Sequence, residues 1–168
     1  MTFDSQNTDH LPGNARVWIF QAGRALSADE QSRVDEWVGA FLRQWDSHGA
    51  KMDAAYLVIH DRFLILFADE SSVQASGCSI DKIFAVVQKA GVELGVDFLD
   101  KKQIAYRDVE GQVTSKPMSE FRKMLEAGDL GPDTIVFNNL VNTKDEFLKS
   151  WEVPMRESWH AQWLEGVR

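Results

Sequence analysis

Apolar residues recur along this chain in two different rhythms. Arg16 to Ala22, RVWIFQA, is short, apolar and β-prone, and predicts a first strand. After it the spacing changes: Val34, Trp37, Val38, Phe41, Leu42 and Trp45 fall three and four apart, the signature of one helix face. Ser27, with Glu30 three residues later, forms a capping-box pattern at the start of that helix. Gly49, in SHG, marks its expected end, because glycine accepts a left-handed backbone. AAYLVIH and FLILF then read as two strands joined tightly through Asp61 and Arg62. FLILF is apolar on both alternation faces, which predicts a central strand covered on at least one of them. A polar loop, DESSVQASG, leads into a helix from about Ser79 to Leu94, with Ile80, Ile83, Phe84 and Val87 inward. QIAYRDV predicts a fourth strand.

The order β-α-β-β-α-β is the split βαβ, or ferredoxin-like, plan. It predicts an α+β fold with an antiparallel sheet ordered 4-1-3-2 and helices on one face. A doubly wound sheet fits less well, because no helix separates the middle two strands. Beyond residue 110 the pattern is less regular. EGQ reads as a turn, Pro117 opens a helix MSEFRKMLEAG stopped at Gly128, and GPDTIVFNN gives a turn and a fifth strand. TKDEF opens a further segment capped by Thr143 and Glu146, and SWHAQWL lies close to the last residue. The expected organisation is a disordered tail over 1–14 and a single globular domain over 15–168. Within that domain, 15–110 is the ferredoxin-like core and 111–168 a C-terminal α/β extension packed on it.

Charge narrows the classes of partner. The formal net charge is −8, and no basic cluster interrupts it. Nucleic acid and anionic membrane surfaces are therefore disfavoured, since both require clustered Lys and Arg. No apolar run approaches a membrane span, and MTFDSQNTDHLPGN lacks the basic-then-apolar plan of a signal peptide. With one cysteine there is no internal disulfide, which fits a cytoplasmic protein. No His, Cys and acid set has zinc-ligand spacing, so neither a metal nor a cofactor is expected.

QWDSHG, SGCSIDK, DFLDKKQIAYRD, DTIVFNNLV and SWEVPMRESWH together resemble a family of small uncharacterised bacterial proteins, frequent in Bacteroidetes-type genomes and often auto-named "ABC transporter ATPase". The resemblance runs from Arg16 to about Leu164 and implies no particular activity. The label fails on the residues themselves. Nucleotide hydrolysis of that type needs G-x-x-x-x-G-K-[ST], whose amides and lysine hold the phosphates, and no such string occurs.

Candidate chemistry gathers at ASGCSID. Cys78 stands near the predicted start of the second helix, where unpaired N–H groups and the dipole favour an anion or a thiolate. Ser76 and Ser79 can cap that end, Gly77 permits close approach by a ligand, and Asp81 is an early-turn acid that partly opposes both effects. The plainer account makes Cys78 a small buried hydrophobe. A thiol nucleophile wants a base. The ferredoxin-like plan puts His48 on the same sheet edge as Cys78 and His60 on the opposite one, with Asp46 or Asp108 to orient His48. More simply, His48 caps its own helix. Arg107, like Arg62, neighbours an aspartate and can hold a carboxylate or phosphate, although a surface ion pair is the ordinary reading. His10 falls in the tail, and His160 lies among tryptophans. Trp151, Trp159 and Trp163 cluster late in the chain, either pinning the extension or presenting a surface to a second copy or another protein. Two functions follow. The first is a binding module with a small-anion or peptide site at Ser76–Asp81. The second is a thiol-dependent enzyme or redox protein using Cys78 with His48.

Overall fold

The helix α1 (Ala28–Gln44) starts at the expected capping box. The Ser27 hydroxyl accepts from the Glu30 N–H, and the Glu30 carboxylate accepts from the Ser27 N–H at 2.8 Å. This computed structural model describes residues 8–166, and the chain divides into two units. The first runs to Leu99 and regains Asn142–Asp145; the second holds Asp100–Val141 and the residues from Glu146.

In the first unit, β1 (Arg16–Gln21), β2 (Asp46–Ser47), β3 (Ala50–Lys51), β4 (Asp53–Ile59) and β5 (Phe63–Asp69) accompany α1 and α2 (Gly77–Leu94). The main sheet is antiparallel with order β1-β5-β4, and β5 is central and buried from Phe63 to Ala68. One face of it presents Trp18, Phe20, Leu64 and Leu66 to Val34, Val38 and Leu42 of α1 and Ile83, Val87 and Ala90 of α2. Burial of this apolar face stabilises both helices, since each is amphipathic and covers it with its inner stripe. α2 stops at Gly95, whose φ of 66° is the left-handed conformation glycine tolerates best.

The ferredoxin-like sheet of four strands is not what forms. The predicted fourth strand, Gln103–Arg107, lies in the second unit and pairs there. The outer edge of β1, where it was expected, is taken by a later segment. Arg16 bridges Thr143 in antiparallel fashion, and the Val17 N–H donates to the Asn142 carbonyl at 3.0 Å. At the Arg16–Val17 end, therefore, the edge that a fourth strand would need is already occupied. The division expected after residue 110 accordingly falls at Leu99. Residues 1–7 of the expected disordered tail lie outside the described residues, whereas 8–14 are held. Thr8 and Leu11 are buried, and the Lys144 ammonium donates to both their carbonyls at 2.8 Å.

The second unit contains β6 (Gln103–Arg107), β7 (Val113–Pro117), α3 (Met118–Glu126), β8 (Ile135–Phe137), most of α4 (Lys144–Ser150) and β9 (Glu152–Pro154). Its sheet is antiparallel with order β7-β6-β8-β9. Asp108 closes the β6–β7 turn by accepting from the Glu110 and Gln112 N–H groups. Ile104, Tyr106, Phe121, Leu125, Val136 and Met155 form the core, flanked by Trp159 and Trp163. Over the described residues the class is mixed α and β with antiparallel sheets. No described helix is long and apolar enough to cross a membrane.

Candidate functional site

Ser76 is the N-cap of α2, with an extended backbone, and its hydroxyl accepts from the Ser79 N–H at 3.1 Å. The Ser79 hydroxyl donates back to the Ser76 carbonyl at 2.8 Å. Both side chains are thereby spent on the cap, and Ser79 is buried. The helix start is also anchored from outside. The Ser76 N–H donates to the Ser47 hydroxyl at 3.0 Å, which donates to the Gln74 carbonyl at 2.7 Å. The Trp45 indole donates to the Ser79 carbonyl at 2.9 Å. Glu70 accepts from the Ala75 N–H at 2.8 Å.

What remains open is narrow and well placed. Gly77 and Cys78 occupy the first two positions of α2, where N–H groups have no intrahelical partner. Both residues are exposed, and a Cβ placed on Gly77 would meet nothing within 4 Å. Cys78 is therefore not the small core residue of the plainer reading. Asp81 is exposed on the same helix, while Lys82 pairs with Asp46 at 3.0 Å.

His48 is not at a helix C-terminus. α1 ends at Gln44, and Asp46 to Lys51 make a small hairpin, β2 with β3. His48 and Gly49 form its tip, with φ of 51° and 79°. Consecutive positive φ values suit a tight hairpin turn, which twists as strands do. Trp45 and Ser47 dock this hairpin on the α2 start, so the expected neighbourhood of His48 and Cys78 is realised at the level of segments. Contact is not. Among the described residues no hydrogen bond or ion pair engages the side chain of Cys78 or His48, and Asp46 is committed to Lys82 rather than to His48. His60 sits in the β4–β5 turn with φ of 52°.

Arg107 belongs to the second unit and is spoken for there. Its guanidinium pairs with Glu152 and donates to the Gly111 carbonyl at 2.7 Å. Asp108 serves the β6–β7 turn. His160 is buried, with Nδ1 at 2.8 Å from the Ser158 hydroxyl and its ring stacked on Trp159 at 3.9 Å. Burial pulls its pKa down to about 4. Among the described residues no group of three or more His, Cys, Asp and Glu is placed to hold a metal ion.

Compared with protein-family models, curated proteins and solved structures, the chain matches none of them.

Proposed function

We propose that the protein is a binding module that takes a small anion, or the carboxylate of a peptide, at the start of α2. The observation carrying this reading is the open Gly77–Cys78 turn on a helix start whose other polar groups are already satisfied. Two free amides and the positive end of the helix dipole favour negative charge there. The anchoring by Ser47 and Trp45 holds the amides in place, so little ordering is lost on binding. Asp81 and Glu70 lie nearby in sequence and limit the affinity, so the ligand is a weakly held anion rather than a polyanion. Membership of the small bacterial family that the motifs resemble is part of this proposal, as is a role other than P-loop nucleotide hydrolysis. A cytoplasmic location is proposed with it.

Exposure of the thiol favours one second reading, a thiol-dependent enzyme or redox protein with Cys78 as its reactive group. His48 is the nearest candidate base by segment, but no bond to Cys78 supports it. Thiol chemistry itself distinguishes the readings. Anionic iodoacetate and neutral iodoacetamide should both alkylate Cys78 in the native protein. Binding predicts that the iodoacetate-to-iodoacetamide rate ratio exceeds that of a disordered SGCSID peptide and falls with added salt. A ratio equal to or below the peptide's would remove the anion site. A Cys78→Ser variant that abolishes turnover of a thiol-reactive substrate would favour the enzyme.

A further inference from the structure

Gly39 is an unfavourable residue for the middle of a 17-residue helix, because glycine loses more backbone freedom there than alanine. Its surroundings supply a reason. A Cβ at Gly39 would come 3.3 Å from the Tyr56 hydroxyl and 3.6 Å from Nη1 of Arg43. The missing side chain lets the Tyr56 ring of β4 and the Arg43 head lie close against α1. Beside them is a concavity open to solvent, of about 550 Å³, lined by α1, β3 and β4 together with Met52 between the strands. That volume falls in the range of small-molecule sites, roughly 300–1,000 Å³.

Among the residues that line the cavity two cations outnumber one acid, and the Asp35 carboxylate stands at the Tyr56 hydroxyl. Arg43 and Lys51 both line it. Among the described residues neither side chain takes an ion pair or hydrogen bond. Other arginines of this unit are engaged: Arg16 with Glu70, Arg24 with Glu30, and Arg33 over the Trp37 ring. Two uncommitted cations on one concavity are notable in a chain of net charge −8. The acid on the same wall, Asp53, is drawn to His10, whose Nε2 stands 3.0 Å from its carboxylate. The Tyr56 hydroxyl donates to Asp35, and burial with that bond pushes its pKa up, so the phenol stays neutral. Half-buried Ala54 and the Tyr56 ring supply apolar wall.

We propose that this cavity binds a small organic anion, its phosphate or carboxylate between Arg43 and Lys51 and its apolar body against Ala54 and the Tyr56 ring. The site is separate from the α2 start and stands whether or not that one binds. Phenyl phosphate is a suitable probe, with phenol and benzylamine as controls and backbone amide shifts as the readout. Saturable shifts at Gly39, Met52 and Tyr56 are expected for phenyl phosphate alone. In an Arg43→Gln/Lys51→Gln variant the affinity should fall about tenfold or more, the loss of hydrogen bonds to two charged groups. Both residues are exposed, so the variant should keep the native spectrum. Gly39→Ala gives an independent check. It should weaken phenyl phosphate, because its methyl group, 3.3 Å from the Tyr56 hydroxyl, crowds Tyr56 and Arg43. Shifts confined to Gly77 and Cys78, equal binding of phenol or benzylamine, or undiminished binding by the double variant would overturn the proposal.

Discussion

Replacing Trp45 with alanine is expected to destabilise the first unit by about 3–5 kcal/mol, the range for deleting a large buried aromatic. Trp45 is 1% exposed. Its ring meets Trp18 edge-on at 6.0 Å and Phe41 at 5.9 Å, so truncation leaves a cavity bordered by rigid rings. The indole N–H also donates to the Ser79 carbonyl inside the first turn of α2. Trp45→Phe separates the two contributions. It keeps much of the packing and loses that hydrogen bond, at a cost of about 1 kcal/mol for the bond itself. Urea unfolding measures both. Trp45→Ala should also reduce the preference of Cys78 for iodoacetate, because the hairpin no longer fixes the helix start. A loss below 1 kcal/mol for Trp45→Ala would mean that the hairpin is not docked as described.

Acid should weaken the second unit by about 3 kcal/mol between pH 7 and pH 4, through His160 alone. The sign follows from the direction of its shift. Burial holds the folded imidazole to a pKa of about 4, against an ordinary 6.5. Between those values the unfolded chain binds a proton that the folded chain refuses, so stability falls as pH falls. The stabilisation is complete above about pH 6.5 and gone below about pH 4. Ser158, Phe121, Trp159 and Trp163 surround the ring, and none is a carboxylate that would favour the charged form. Urea midpoints between pH 7 and pH 4, followed by tryptophan fluorescence, test this. His160→Gln should lower stability at pH 7 and flatten the slope. An unchanged slope in that variant would assign the acid sensitivity to other groups.

The elements with local signatures were readable from the sequence. α1 and α2 each combine a cap with a three-four apolar repeat, and β5 is apolar on both faces, so period and punctuation agree. The partner of β6 was not readable. QIAYR has the alternation of a strand, but alternation says nothing about which edge it joins. That was decided by Asn142 and Thr143, more than a hundred residues after β1, in a stretch with no periodic signal. The DSHGAK hairpin replaces the expected helix end for a related reason. Its strands are two residues each, too short for any period, and Gly49 resembled a helix stop.

The candidate site was half legible. Ser76 as a cap and Cys78 at a helix start follow from residue type and spacing. Exposure of Cys78 does not, because a lone cysteine carries no pattern that separates surface from core. Pairing of Arg107 with Glu152 depends on β9, a three-residue strand with no sequence signature. The cavity beside α1 has a single signal in the sequence. Gly39 interrupts a helix whose other positions suit helical structure, and such a glycine asks what its absent side chain makes room for.

The most direct test of the anion site is a titration with inorganic phosphate, observed at the backbone amides of the whole chain. Saturable shifts are expected, largest at Gly77 and Cys78 and weakening as chloride is raised. Shifts absent at those two amides while phosphate reaches high millimolar concentration would contradict it.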